Sequence, residues 1–254
     1  MAWEFFLILV ALAFVAEYID SSLGMGYGTT LTPLLLLLGF TPLQIVPVVL
    51  LSEFVTGLVA AGFHHTYRNV SFRKSSLDSR VVLVLSLIGA LGAVIAVTVA
   101  VKLPAWIIKV YIGVLVLALG VFVLVTPSGS QRFSWLRLVG IGLLSSFNKG
   151  VSGGGYGPII TAGQILAGLS PKAAVGITSL SEGVVSLVGV LMYWLSVSTI
   201  NWQLAVPILI GAVISTPLAA FTVHKLPVRF LRALIALLAI TLGVVTLTRA
   251  MSAN

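Results

Sequence analysis

The chain has 254 residues, 59% of them hydrophobic and 8% charged, with a mean hydropathy of +1.18. A water-soluble globular protein carries about 25% charged residues, so this composition excludes one and indicates a polytopic membrane protein. The net charge of +8 reads as lysine and arginine in cytoplasmic loops, not as a nucleic-acid surface, and the lack of cysteine excludes disulfides and thiol chemistry.

Taken in order, the chain offers ten apolar segments. Phe5–Asp20 is short and has neither a basic lead nor a small-x-small cleavage site before Glu17, so it reads as a retained membrane segment. A second short segment, Thr29–Gly39, follows a glycine-rich break. Leu43–Phe63, Val81–Val101 and Ala105–Val125 are each long enough to cross a ~30 Å hydrocarbon core. Another short pair, Trp135–Asn148 and Pro158–Gly168, flanks a second glycine-rich break, and Lys172–Leu195, Gln203–Val223 and Val228–Thr248 read as full spans. Each short pair either crosses fully or forms a re-entrant hairpin. All five tryptophans fall at segment ends, as an interfacial aromatic belt requires.

The chain repeats itself. A shift of 129 lays Gly24–Thr32 (GMGYGTTLT) over Gly153–Thr161 (GGGYGPIIT), and the match runs on through Gly39/Gly168, Pro42/Pro171 and Ser52-Glu53/Ser181-Glu182. From Gly24 to Leu58, 14 of 35 positions are identical. A shift of 123 lays Lys102-Leu103-Pro104 over Lys225-Leu226-Pro227. Residues 1–127 and 128–254 are thus two copies of one five-segment unit. An odd number of segments turns the second copy upside down. The loops agree. Arg68, Arg73, Lys74, Arg80, Arg132, Arg137, Lys172, Lys225, Arg229 and Arg232 fall on one side, against Lys102, Lys109 and Arg249 on the other. The positive-inside rule makes the first side cytoplasmic, with both termini opposite. The expected fold is therefore an all-α integral membrane protein of two inverted repeats, whose broken short helices meet near the bilayer midplane.

Non-helical backbone deep in a membrane needs protein or a water-filled cavity around it. The helix after each break, from about Gly28 or Pro158, presents free N–H groups and a positive dipole end, and glycines let an anion approach them. Lys149 adds a full charge beside the second break. The candidate substrate-binding residues are Ser22, Gly24, Gly26, Tyr27, Gly28 and Thr29 in the first copy. In the second they are Asn148, Lys149, Ser152, Gly153, Gly154, Gly155, Tyr156 and Gly157. The alternative is that the glycines serve only close helix packing, the role assigned to Gly89, Gly92, Gly140 and Gly142.

Asp20 aligns with Lys149 and either pairs with it, caps a helix or is protonated. Glu53 and Glu182 either cap broken helices or carry a coupling proton. His64 and His65 read as interfacial, and Glu17 has no assigned role. No catalytic, Walker or metal-ligand motif occurs, so an enzyme, a cofactor and a bound metal are not expected. The Gly-Tyr-Gly of each copy lacks the context of a potassium filter.

The paired GxGYG breaks, each followed by a short helix, a Thr/Ser-Pro step and a Ser-Glu span, resemble the TauE/SafE family. These are the sulfite exporters, also called the toluene sulfonate uptake permeases. Asp20–Pro42 and Asn148–Gly176 carry the likeness. It covers nearly the whole chain. Met25 departs from the glycine run and leaves the two half-sites unequal. The resemblance implies transport of sulfite or organosulfonates across the cell membrane by a secondary transporter. An anion channel is the alternative.

Overall fold

The computed structural model describes residues 3–24, 26–125, 134–222 and 228–252. Met25, Arg132, Lys225, the side chains of Arg229 and Arg232, and the repeat boundary at 127/128 lie outside the described residues.

Ten helices occur among the described residues. They are α1 (Trp3–Leu23), α2 (Tyr27–Leu37), α3 (Pro42–Thr66), α4 (Leu77–Ala100), α5 (Ala105–Val125), α6 (Trp135–Ser152), α7 (Tyr156–Leu166), α8 (Pro171–Val197), α9 (Trp202–Thr222) and α10 (Val228–Ser252). All ten predicted segments are present. Among the described residues, six are long and apolar enough to cross a membrane: α1, α3, α4, α5, α8 and α9. The protein is therefore a multi-pass membrane protein.

Most boundaries shift by two to four residues from expectation, and two of the shifts bear on the site. α1 is a 21-residue span, because the run of helix formers continues past the acidic Glu17 and Asp20 to Gly24. α6 continues through Lys149 to Ser152, since a lysine whose charge is compensated does not interrupt a helix. Each break is thereby narrowed to three residues. α6 covers about 27 Å at ~1.5 Å per residue, so an upright α6 would carry its break close to the far boundary of a ~30 Å core.

The two copies share their local chemistry. α2 and α7 both end on a glycine with φ +96°, Gly39 and Gly168. After each, the same pair of bonds closes the helix: Gly39 N to Leu36 O with Phe40 N to Leu35 O, and Gly168 N to Ile165 O with Leu169 N to Gln164 O. These are Schellman closures, which favour glycine because a Cβ is strained at that φ. Thr41 or Ser170 then caps the next helix, with proline at its first position.

The helices also pair by copy. α1 packs on α9 and α4 on α6, while α3 packs on α8 and α5 on α10. Moving each helix five places along the chain maps this set onto itself. α3 and α8 run antiparallel: Leu50 lies on Gly189, Gly57 on Gly183, and His64 beside Gly176. α5 and α10 do the same, with Gly113 at Leu247 and Gly243 at Leu117. α3 and α8 are the most buried spans. Outward faces carry apolar side chains such as Leu87, Leu91 and Leu195, and all five tryptophans are exposed at or near helix ends, as lipid and its interface require.

Gly89, Gly92 and Gly142 do pack closely, against α8 or α6 for the first two and α4 for the third. Gly140 meets nothing, so its packing role is not borne out.

Candidate transport site

The first break, after Leu23, places Gly24 at φ +68° and Gly26 at +128°. The second, after Ser152, places Gly153 at +72° and Gly155 at +82°. L side chains rarely adopt these angles, so glycine is what lets each chain turn from one helix into the next. The two breaks meet. A Cβ on Gly154 would stand 2.7 Å from the Gly28 carbonyl carbon, and one on Gly28 would collide with the Gly153 carbonyl oxygen. Thr161 of α7 donates to the Gly24 carbonyl at 2.7 Å, so the helix of one copy holds the break of the other. Gly24, Gly26, Gly28, Thr29 and residues 152–157 are all buried.

Other candidates are held as follows. Ser22 is buried, and its hydroxyl has no hydrogen-bond partner. Ser152 Oγ donates to the Asn148 carbonyl at 2.7 Å and accepts from Gly154 N at 3.1 Å. The Asn148 side chain accepts from the Tyr111 hydroxyl. Tyr27 and Tyr156 point their hydroxyls away from the breaks: Tyr27 meets Ser52 Oγ at 2.7 Å, and Tyr156 donates to Ser181 Oγ at 3.1 Å. These two bonds are counterparts at the shift of 129.

Lys149 sits one helical turn before the second break and is 1% exposed. Its ammonium is ion-paired with Glu53 and, at 2.6 Å, with Glu182 Oε1. The pairing with Asp20 is therefore not the one seen. Asp20 instead caps α2, accepting from Tyr27 N at 3.3 Å, where its charge also suits the helix dipole. Glu53 and Glu182, counterparts in the two copies, clamp the lysine rather than cap helices. A lysine at the centre of a membrane helix costs at least about 2.5–3.5 kcal/mol, and two carboxylates from α3 and α8 offset that.

Glu17, unassigned in the sequence, is also at the centre. It accepts from Ser21 Oγ at 2.6 Å and from Thr56 Oγ1 at 3.2 Å. The signal for it was the spacing of Glu17, Asp20 and Ser21, which puts three polar groups on one face of an apolar helix. His64 is fully buried rather than interfacial, with Asn69 Nδ2 donating to its Nδ1 at 3.0 Å and its Nε2 at 3.1 Å from the Ser21 carbonyl.

Six apolar spans, two half-length helices entered through buried glycine breaks, and a lysine clamped between the breaks and the most buried helices define a membrane transporter architecture. Residues 9–246 match the family described as "Sulfite exporter TauE/SafE", and the chain belongs to that family. It is a membrane transporter and not an enzyme. It is also 31% identical over 232 residues, 85% of this chain and 75% of the relative, to a protein of Bacillus subtilis (strain 168) named "Probable membrane transporter protein YtnM". No solved structure matches the chain.

Proposed function

We propose that the protein is a secondary transporter of small sulfur-containing anions, such as sulfite or an organosulfonate, working by alternating access. The observation that carries this reading is the contact between the two glycine breaks, each opening a helix whose first N–H groups lack intrahelical partners. An oxyanion placed there receives the backbone N–H groups of Gly26, Gly28 and Thr29 and of Gly155–Gly157, those of Gly24, Tyr27, Gly153 and Gly154 being engaged within the chain. It also receives the polar side chains of Ser22, Asn148 and Ser152, and the Lys149 charge. The family's description supports sulfite-like chemistry.

The copies, residues 1–127 and 128–254, are inverted in this reading, and they rock against each other around the anion. The antiparallel run of α3 against α8 and of α5 against α10, each a counterpart pair, supports inversion. The division of loop charge, ten against three, supports it independently.

Reconstitution into liposomes tests the function. Preloaded unlabelled sulfite should drive transient accumulation of external labelled sulfite, and uptake should saturate. Flux that neither saturates nor shows counterflow would make the protein an anion channel and end the alternating-access reading.

A further inference from the structure

Four of the six acidic residues in the chain converge on one place. Glu17 and Asp20 of α1, Glu53 of α3 and Glu182 of α8 line a cavity of about 10 Å³, together with Ser21 and Thr56. Glu17, Glu53 and Glu182 are each at most 5% exposed. The surrounding helices bring little positive charge. α6 supplies Lys149, paired with Glu53 and Glu182. α3 supplies His64, which meets the Ser21 carbonyl at the edge of the cluster and adds at most one further charge. α2 and α7 supply Tyr27 and Tyr156, both engaged with serines. Tyr193 of α8 donates to the Gly150 carbonyl. α9, which packs on α1 and α3, carries no titratable residue.

One ammonium does not neutralise four carboxylates. Glu17 has only hydroxyl donors, and Asp20 has a backbone N–H. Glu53 Oε1 is buried with no hydrogen-bond partner at all. An unpaired buried carboxylate costs several kcal/mol, so positive charge must come from outside the chain. The cavity has room for about one water. Among the described residues no group of acids has the arrangement to hold a metal ion. Both facts favour the smallest cation.

We propose that this carboxylate cluster is a proton-binding site that couples transport to proton movement. The mechanism is an exchange of partners at Lys149. With Glu53 and Glu182 ionised, the ammonium is held internally. When a proton converts one of the two carboxylates to the acid, that ion pair is lost and the ammonium, still held by the other carboxylate, has a place for the substrate anion. Anion and proton therefore enter the site together, and leave together. The inference deepens the transporter reading and rests on it for the coupling, though not for the proton site itself.

The test uses the wild-type protein in detergent and needs no transport. Infrared titration should show a carboxylic-acid band at neutral pH. With only Glu4 and Asp78 outside the cluster, assignment is direct: Glu17→Gln or Glu53→Gln should remove part of the band. In weak buffer, adding sulfite equilibrated to the same pH should draw about one proton per bound anion from solution, the linkage expected when binding and protonation are coupled, and the double variant Glu53→Gln, Glu182→Gln should lose that uptake, which sulfite's own protonation would leave unchanged. Absence of the band at neutral pH overturns the proton site, whether or not sulfite binds. A band that sodium ions abolish overturns it in favour of a metal cation. A band with sulfite bound and no proton uptake overturns the coupling. Failure of sulfite to bind leaves the band as the deciding measurement and counts against the anion assignment alone.

Discussion

Gly28 of α2 and Gly154 of the second break touch backbone to backbone: a Cβ on Gly28 would stand 2.8 Å from Gly154 Cα. Backbone atoms cannot swing aside as a side chain does, so this contact fixes the separation of the two copies at their centre. Gly28→Ala should lower stability by about 1–3 kcal/mol or more, read as a fall in thermal midpoint in detergent, and should abolish flux. Gly140→Ala is the control. It is exposed on α6 with nothing near its Cβ position, and alanine there should be neutral or up to about 1 kcal/mol stabilising. Equal effects of the two substitutions would show that the breaks do not touch.

The tyrosines of the two GYG stretches make a second comparison possible. Their hydroxyls are already bonded to Ser52 and Ser181, so their contribution to an anion is through the backbone. Tyr27→Phe and Tyr156→Phe should each cost about 1–2 kcal/mol of stability. The second should fall at the low end, because Ser181 keeps its bond to the Thr178 carbonyl. Sulfite affinity, measured by calorimetry on the folded variants, should stay within a factor of about three, well under 1.4 kcal/mol. A loss beyond tenfold would place the hydroxyls on the substrate.

All ten helices were readable from apolar runs, because lipid imposes one rule along the whole chain: bury or satisfy every backbone group. The repeat in the sequence was readable because Gly39/Gly168 and Pro42/Pro171 keep identical roles at turns and caps, while Ser52-Glu53 and Ser181-Glu182 keep theirs against the tyrosines and Lys149. The partner of Lys149 was not. Alignment set Asp20 over Lys149, and that equivalence suggested a pair, but residues equivalent by duplication occupy corresponding places, not adjoining ones. The true partners, Glu53 and Glu182, come from α3 and α8, whose antiparallel packing brings both to the centre. Glu17 was missed because the polar face it shares with Asp20 and Ser21 does not say which residues of other helices it meets, Thr56 of α3 among them.

Inversion has a direct test. The α3–α4 loop and the α8–α9 connection are counterparts, and the chain has no cysteine of its own. Ser75 and Thr199 are both exposed and cap no helix. Ser75→Cys and Thr199→Cys should each label with an impermeant maleimide from opposite sides of the membrane. Labelling of both from the same side would remove the inverted arrangement and, with it, the rocking mechanism.

The clamp on Lys149 predicts a stability change with a defined sign in pH. Lys149→Met removes the ammonium and leaves Glu53 and Glu182 facing each other in the interior. Breaking a buried pair in this way costs about 3–5 kcal/mol. The stranded carboxylates escape that cost by taking up protons, so the folded variant holds protons that its unfolded chain releases at neutral pH. Stability then falls as pH rises, by the sign of the linkage relation. Thermal unfolding of Lys149→Met should accordingly lie well below wild type at pH values above neutrality and approach it in mild acid. Adding Glu53→Gln and Glu182→Gln should restore most of the difference and flatten the pH dependence, since neutral amides need no proton. A Lys149→Met protein that unfolds at the wild-type temperature throughout would mean that the two glutamates are not holding the lysine.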